Sequence, residues 1–144
     1  MVGEGDSSLA RRQLIVLDAS AAVDHVLRRD AFEAIAARLE ESASSIHAPH
    51  LIDLEVIGAM RRLVMQRSVT IERAEEALRD FAAIAIVRYP AGGLTDRIWQ
   101  LRLNMTVFDA AYVALAEALD IPLVTTDARL ARAPGHRAKV QVIR

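Results

Sequence analysis

Two short apolar runs, far apart in the chain, each end in an aspartate. Leu14-Ile15-Val16-Leu17 runs into Asp18, and Ile121-Pro122-Leu123-Val124-Thr125-Thr126 runs into Asp127. A brief β-branched-rich run with no polar alternation has the pattern of a central parallel strand, covered on both faces. In an open α/β sheet, ligands bind beyond the carboxyl ends of such strands. Two acids placed there predict a carboxylate cluster at one rim of one sheet. Carboxylates repel at close range in a cleft, and the usual reason to gather them is a hard divalent cation.

The rest of the chain alternates in the same sense. Strand 14–17 is followed by helical pattern from Ser20 to Leu39, as two short helices meeting near Asp30. Ser44 to Ala48 is a second, weaker strand. Pro49 suits the first turn of a long helix reaching about Gln66, and Thr70 opens another with Glu72 and Glu75 early in it. Ile84 to Tyr89 is a strand candidate before the turn Pro90-Ala91-Gly92-Gly93. Helices over Leu94–Leu103 and Thr106–Leu119, the strand at 121–126, a helical turn at 128–132 and a last strand over 140–143 complete the chain. Strands alternating with helices predict a mostly parallel sheet flanked by helices, an α/β fold. Residues 1–13 have the look of a polar, frayed leader, with one domain over 14–144.

Bulk properties remove several classes. At 144 residues, 53% of them hydrophobic and 26% charged, the chain can bury a core and is not a disordered polymer. Its longest apolar run, Phe81 to Val87, is too short to cross a bilayer, and Leu14–Leu17 is too brief for a secretory signal. Cysteine is absent, which excludes disulfides and thiolate metal sites and suits a cytoplasmic location. The net charge of −1 favours neither presence nor absence of nucleic acid. Lys139 is the single lysine among 18 basic residues. Arginine forks match phosphates, but an alanine-rich, arginine-rich genome yields the same bias.

Each candidate acid has a structural reading beside the functional one. Asp18 and Asp127 are both well placed to cap a helix. Asp109 closes Thr106-Val107-Phe108-Asp109, a capping box. Glu55 has Leu51, Ile52, Gly58 and Ala59 at i±3 and i±4, an unusual setting for a solvated charge. Its plainer role is pairing with Arg61 or Arg62. Asp53, two residues away, points elsewhere on the helix, so only one of the pair can face a common site.

Taken together, the segments Ile15-Val16-Leu17-Asp18-Ala19-Ser20-Ala21, Ala48-Pro49-His50-Leu51 to Glu55-Val56, and Thr106-Val107-Phe108-Asp109-Ala110-Ala111-Tyr112-Val113-Ala114-Leu115-Ala116-Glu117 through Leu123-Val124-Thr125-Thr126-Asp127 resemble a PIN-domain nuclease. The resemblance is strongest to VapC-type ribonuclease toxins of toxin–antitoxin pairs and spans about residues 14 to 143. It implies a PIN-like fold and endonucleolytic cleavage of RNA. It places the family's acidic quartet on Asp18, Glu55, Asp109 and Asp127, as catalytic residues and ligands of Mg²⁺ or Mn²⁺. Ser20 and Thr125 fall on supporting hydroxyl positions, and Asn104 on a polar position before the third acid. It further implies a homodimer and a small antitoxin partner that covers the site.

The rival strand-then-Asp families fit less well. A haloacid-dehalogenase-type phosphatase needs a second Asp two residues after the first, where this chain has Ser20. A receiver domain needs an early acid pair and a suitably placed lysine, and only Asp18 is available. A PIN-like module that binds RNA or a partner without cleaving remains the alternative. His47 and His50 are i, i+3 with Pro49 between them, a poor metal pair. Trp99 has the spacing of a core or interface residue. The helical stretches 50–66 and 70–88 carry more apolar surface (Leu51, Leu54, Ile57, Met60, Leu63, Val64, Leu78, Phe81, Ile84) than one sheet face needs, which predicts a two-fold dimer.

Overall fold

A computed structural model describes residues 14–42 and 45–144; the predicted leader and Ser44 lie outside them. Five strands form one wholly parallel sheet: β1 (Ile15–Leu17), β2 (Ile46–Pro49), β3 (Ile86–Tyr89), β4 (Leu123–Thr125) and β5 (Val140–Val142), in the order β3-β2-β1-β4-β5. Parallel neighbours need crossovers. The helices supply them: α1 (Ala19–Val26), α2 (Phe32–Glu41), α3 (Ile52–Met65), α4 (Ile71–Ala82), α5 (Thr95–Gln100), α6 (Val107–Leu119) and α7 (Ala128–Arg132). None of them is long and apolar enough to cross a membrane.

β1 is the middle strand. Val16 pairs with His47 of β2 on one side and with Leu123 of β4 on the other. Its three residues are wholly buried, which is why the run carries no polar alternation. From β1 the chain builds outward to β2 and β3, then returns to the other side of β1 to lay down β4 and β5. The gap between β1 and β4 is therefore the point where strand order reverses, the place where doubly wound sheets bind ligands.

The right-handed crossover rule puts α1–α4 on one face and α5–α7 on the other. The contacts agree: α1 touches α2, α3 and α4, while α5 touches α6. α6 is the core helix. Seven consecutive residues, Ala110 to Ala116, are buried, and four of them are alanines, which let the helix sit close to β1 and β2. Thr106 caps it by accepting from the Asp109 amide at 3.1 Å, and Asp120 ends it in the left-handed conformation at φ 53°.

Two sequence expectations need correction. Pro49 ends β2 instead of opening a helix, and α3 starts at Ile52. β1 pairs only as far as His47, so the missing amide of Pro49 breaks no bond to it. The predicted helix 94–103 is a 3₁₀ turn, Ala91–Leu94, followed by the shorter α5. Of the nine apolar residues expected to need a partner, Met60 and Phe81 are buried within the single chain; Leu54 and Ile57 stay exposed.

Candidate active site

The carboxyl ends of β1 and β4 open into a cleft of about 570 Å³. Asp18, Glu55, Asp109 and Asp127 all line it, delivered by four different elements. Three arginines, Arg29, Arg62 and Arg129, stand in its walls.

Asp18 occupies the position just before α1 but makes no capping bond. Its Oδ2 instead accepts from the hydroxyls of Ser20 and Thr125, each at 2.6 Å. Both hydroxyls donate their single proton there, so their lone pairs take backbone amides: Thr126 N–H donates to Ser20 Oγ at 3.2 Å, and Asp127 N–H to Thr125 Oγ1 at 3.0 Å. This network ties the two strand ends together and fixes the Asp18 carboxylate, leaving Oδ1 for another ligand. Burial raises the Asp18 carboxyl above its usual range; the two hydroxyls oppose the rise and Asp109 adds to it.

Glu55 reaches the cleft from α3. Asp53, on the same helix, is held at 2.7 and 2.8 Å by the Arg88 fork, so the two acids are parted as helical geometry requires. Glu55 makes no ion pair with Arg61 or Arg62. Its Oε1 is buried without a hydrogen-bond partner, and so is the Tyr112 hydroxyl facing it from α6. Burial raises the Glu55 carboxyl; the facing Tyr112 hydroxyl and Arg62 oppose the rise, and the charges of Asp18 and Asp109 add to it. Asp109, in the first turn of α6, is raised by burial and then by Asp127. The hydroxyl of Tyr112 is pushed far up by burial and by Glu55, so it stays protonated.

Asp127 is different. It does cap α7, accepting from the Arg129 amide at 2.9 Å, and the Arg129 guanidinium grips both its oxygens at 3.1 and 2.9 Å. Those contacts hold its carboxyl below the usual range. Asn104 does not line the cleft; its amide lies against Gly135, where a φ of +88° and the nearness of that amide leave no room for a side chain. Asp24 does line it, paired with Arg29 at 3.6 Å. Sequence reasoning passed over Asp24, although it is four residues after Ser20 and so on the same face of α1.

Oxygen donors alone suit Mg²⁺ or Mn²⁺. Three acids raised by burial and mutual repulsion, with one oxygen orphaned, form a site short of positive charge. Among the described residues, no three acidic or histidine side chains converge tightly enough to cage an ion as they stand. The cluster fits such an ion in chemistry and charge, with Asp127 engaged elsewhere.

Comparison with known proteins points the same way. The PIN domain model matches residues 15–136, a span that holds all four acids. The chain belongs to the PIN-domain family. Among its relatives, Ribonuclease VapC1 of Mycobacterium tuberculosis is 46% identical over 132 residues, covering 90% of this chain and 97% of that protein. Ribonuclease VapC12 of the same organism is 42% identical over 130 residues, 90% of this chain and 99% of that one. These make it a VapC-type PIN domain. The crystal structure of PAE2754 from Pyrobaculum aerophilum shares the fold, with a TM-score of 0.65 at 22% identity over 88% of this chain and 83% of that one. In this PIN domain the matched span stops short of β5, one of the two edge strands, which contributes nothing to the cleft.

Proposed function

We propose that this PIN domain is a divalent-metal-dependent endoribonuclease that hydrolyses RNA phosphodiester bonds. The observation that carries it is the convergence of buried Asp18 with half-buried Glu55 and Asp109, all three raised above the usual carboxyl range, at the strand-order reversal. Asp18 and Asp109 would hold Mg²⁺ or Mn²⁺, joined by Asp127. A bound ion would acidify a water and offset charge on the scissile phosphate. Ser20 and Thr125 hold Asp18 in one orientation for ligation. Glu55, with its free Oε1, orients the attacking water and takes its proton, or holds a second ion. The leaving group of an in-line attack is the 3′-oxygen. Arg62, exposed on the wall of the cleft, is available to a flanking phosphate.

The VapC names of the relatives support a toxin held in check by a small antitoxin; we extend this to a homodimer acting in the cytoplasm, with the antitoxin covering the cleft. Exposed Leu54 and Ile57 supply apolar surface for such contacts.

Cleavage of RNA by the purified chain in Mn²⁺, its loss in EDTA and its loss in Asp109→Asn test the proposal. Persistent cleavage by a clean Asp109→Asn preparation sinks the assignment. A module that only binds RNA would show no cleavage and no carboxylate-dependent binding of Mn²⁺.

A further inference from the structure

The Arg129 clasp sets a problem for any ligand of Asp127. Both carboxylate oxygens are taken, Oδ1 by the Arg129 amide and Nε, Oδ2 by Nη2. The same guanidinium acts on Asp109 across the cleft. It therefore holds one of the four acids that would bind an ion, and its charge reaches a second. Yet the clasp is built to open. The Arg129 side chain is 81% exposed, and an exposed ion pair is weak. The amide bond that caps α7 does not depend on the guanidinium, so the helix survives its departure. Arg97 offers the contrast: its fork grips Glu117, only 3% exposed, and also bonds the Gly135 carbonyl.

Resting on the metal-site reading above, we propose that Arg129 is a resident counter-cation. It clasps Asp127 while the cleft holds no divalent ion, and it turns to a substrate phosphate once Asp127 becomes a ligand. The clasp lowers repulsion among the acids and competes with the ion. Release leaves a free guanidinium fork at the mouth of the cleft, suited to a phosphate.

The test uses the full chain, stripped of metal and free of RNA, titrated with Mn²⁺ by calorimetry. Arg129→Gln should bind Mn²⁺ about threefold tighter than the parent or better, the scale of an exposed ion pair. Arg129→Lys, which keeps the charge but not the fork, should fall between them. Arg144→Gln, which removes a positive charge outside the cleft, should match the parent. Arg129→Lys equal to the parent would mean that charge alone acts, and would overturn the clasp. So would Arg129→Gln equal to the parent while the parent binds Mn²⁺. A parent that binds no Mn²⁺ overturns the metal-site reading and this inference with it. A second measurement follows release. Anisotropy with a single-stranded oligodeoxynucleotide as backbone probe should show Arg129→Gln about threefold weaker than the parent in Mn²⁺ and equal to it in EDTA. A defect of the same size in both buffers would make Arg129 an ordinary surface contact and refute its release.

Discussion

Helix α6 carries an acid near each end, and the fold treats the two in opposite ways. Glu117, near the carboxyl end, is 3% exposed and fully neutralised: Arg97 donates to it at 2.9 and 3.0 Å, and Arg137 adds a backbone bond. Burial pushes its carboxyl up, but the Arg97 bonds outweigh burial and the net direction is down. Asp109, at the amino end, has Asp18, Glu55 and Asp127 for company in the cleft, and its net direction is up. A chain able to place Arg97 on Glu117 could have neutralised Asp109 too. A cluster left at odds with its own charges is what the proposed cation site calls for; a satisfied pair is a brace between α5, α6 and the loop at Gly135.

The largest expected effect breaks that contrast on the functional side. Asp109→Asn should lower RNA cleavage in Mn²⁺ by at least about a thousandfold, since metal chemistry is worth several kcal/mol of barrier. Its thermal midpoint in EDTA should stay level or rise, because a repelling charge has gone. A fall of the midpoint would make Asp109 a structural acid after all.

The brace predicts the reverse pattern. Glu117→Gln leaves the Arg97 guanidinium without its charged partner at a largely buried contact. It should cost about 2–3 kcal/mol in denaturant unfolding, below the full cost of breaking a deeply buried pair because Arg97 is partly exposed. Cleavage per folded molecule should be unchanged. Lost activity at full folding would show that Glu117 belongs to the site.

How much of this was legible beforehand differs between the two ends. Asp18 and Asp127 could be read because a buried strand followed by an acid is a local pattern. Glu55 could be read because its helical neighbours are apolar. The alternation of strands and helices was enough for the parallel sheet. The Arg97–Glu117 brace could not be read, since it joins residues 20 apart through tertiary packing. The clasp on Asp127 was hidden for another reason. Two residues apart do not meet on a helix, but Asp127 stands just outside α7 in extended backbone, where Arg129 can fold back onto it. Asn104 shows the limit of position matching: its place in the chain suggested the cleft, whereas its loop turns it to Gly135.

Asp18 sharpens the comparison through linkage to metal. If it were only a cap, Asp18→Ala would cost about 1 kcal/mol with or without an ion. It makes no capping bond, and burial disfavours its charge. Asp18→Ala relieves that penalty but strips Ser20 and the buried Thr125 of their shared acceptor, so in EDTA it should cost about 1–3 kcal/mol. It should also lose the increment that Mn²⁺ gives the parent by binding the native state. Thermal melts of both proteins in both buffers decide it; equal destabilisation with the Mn²⁺ increment intact would return Asp18 to a capping role.

The smallest effect is a pH dependence of opposite sign for an acid of the cleft, Glu55, and the braced acid Glu117. Glu55 has a folded pKa above its unfolded value of about 4.3. The native state then binds its proton more readily than the unfolded state, so stability falls as pH rises through the window between those two values. Acidifying the metal-free protein from pH 7 into that window should stabilise it. Glu117, with its folded value lowered, contributes stability that is present above about pH 4.5 and is lost only as pH falls through the lower folded value. His25 and His47, both lowered chiefly by burial, also weaken the fold on acidification. Comparing the parent with Glu55→Gln cancels all three. The stability difference between these two proteins in EDTA should shrink as pH drops from 7 toward 5, because protonated Glu55 resembles Gln. Saturating Mn²⁺ should shift that convergence to lower pH, since the ion favours the charged carboxylates. A difference that is flat across this range in both buffers would mean that Glu55 carries no strain from its neighbours, and the contrast between the cleft acids and the braced Glu117 would lose its electrostatic basis.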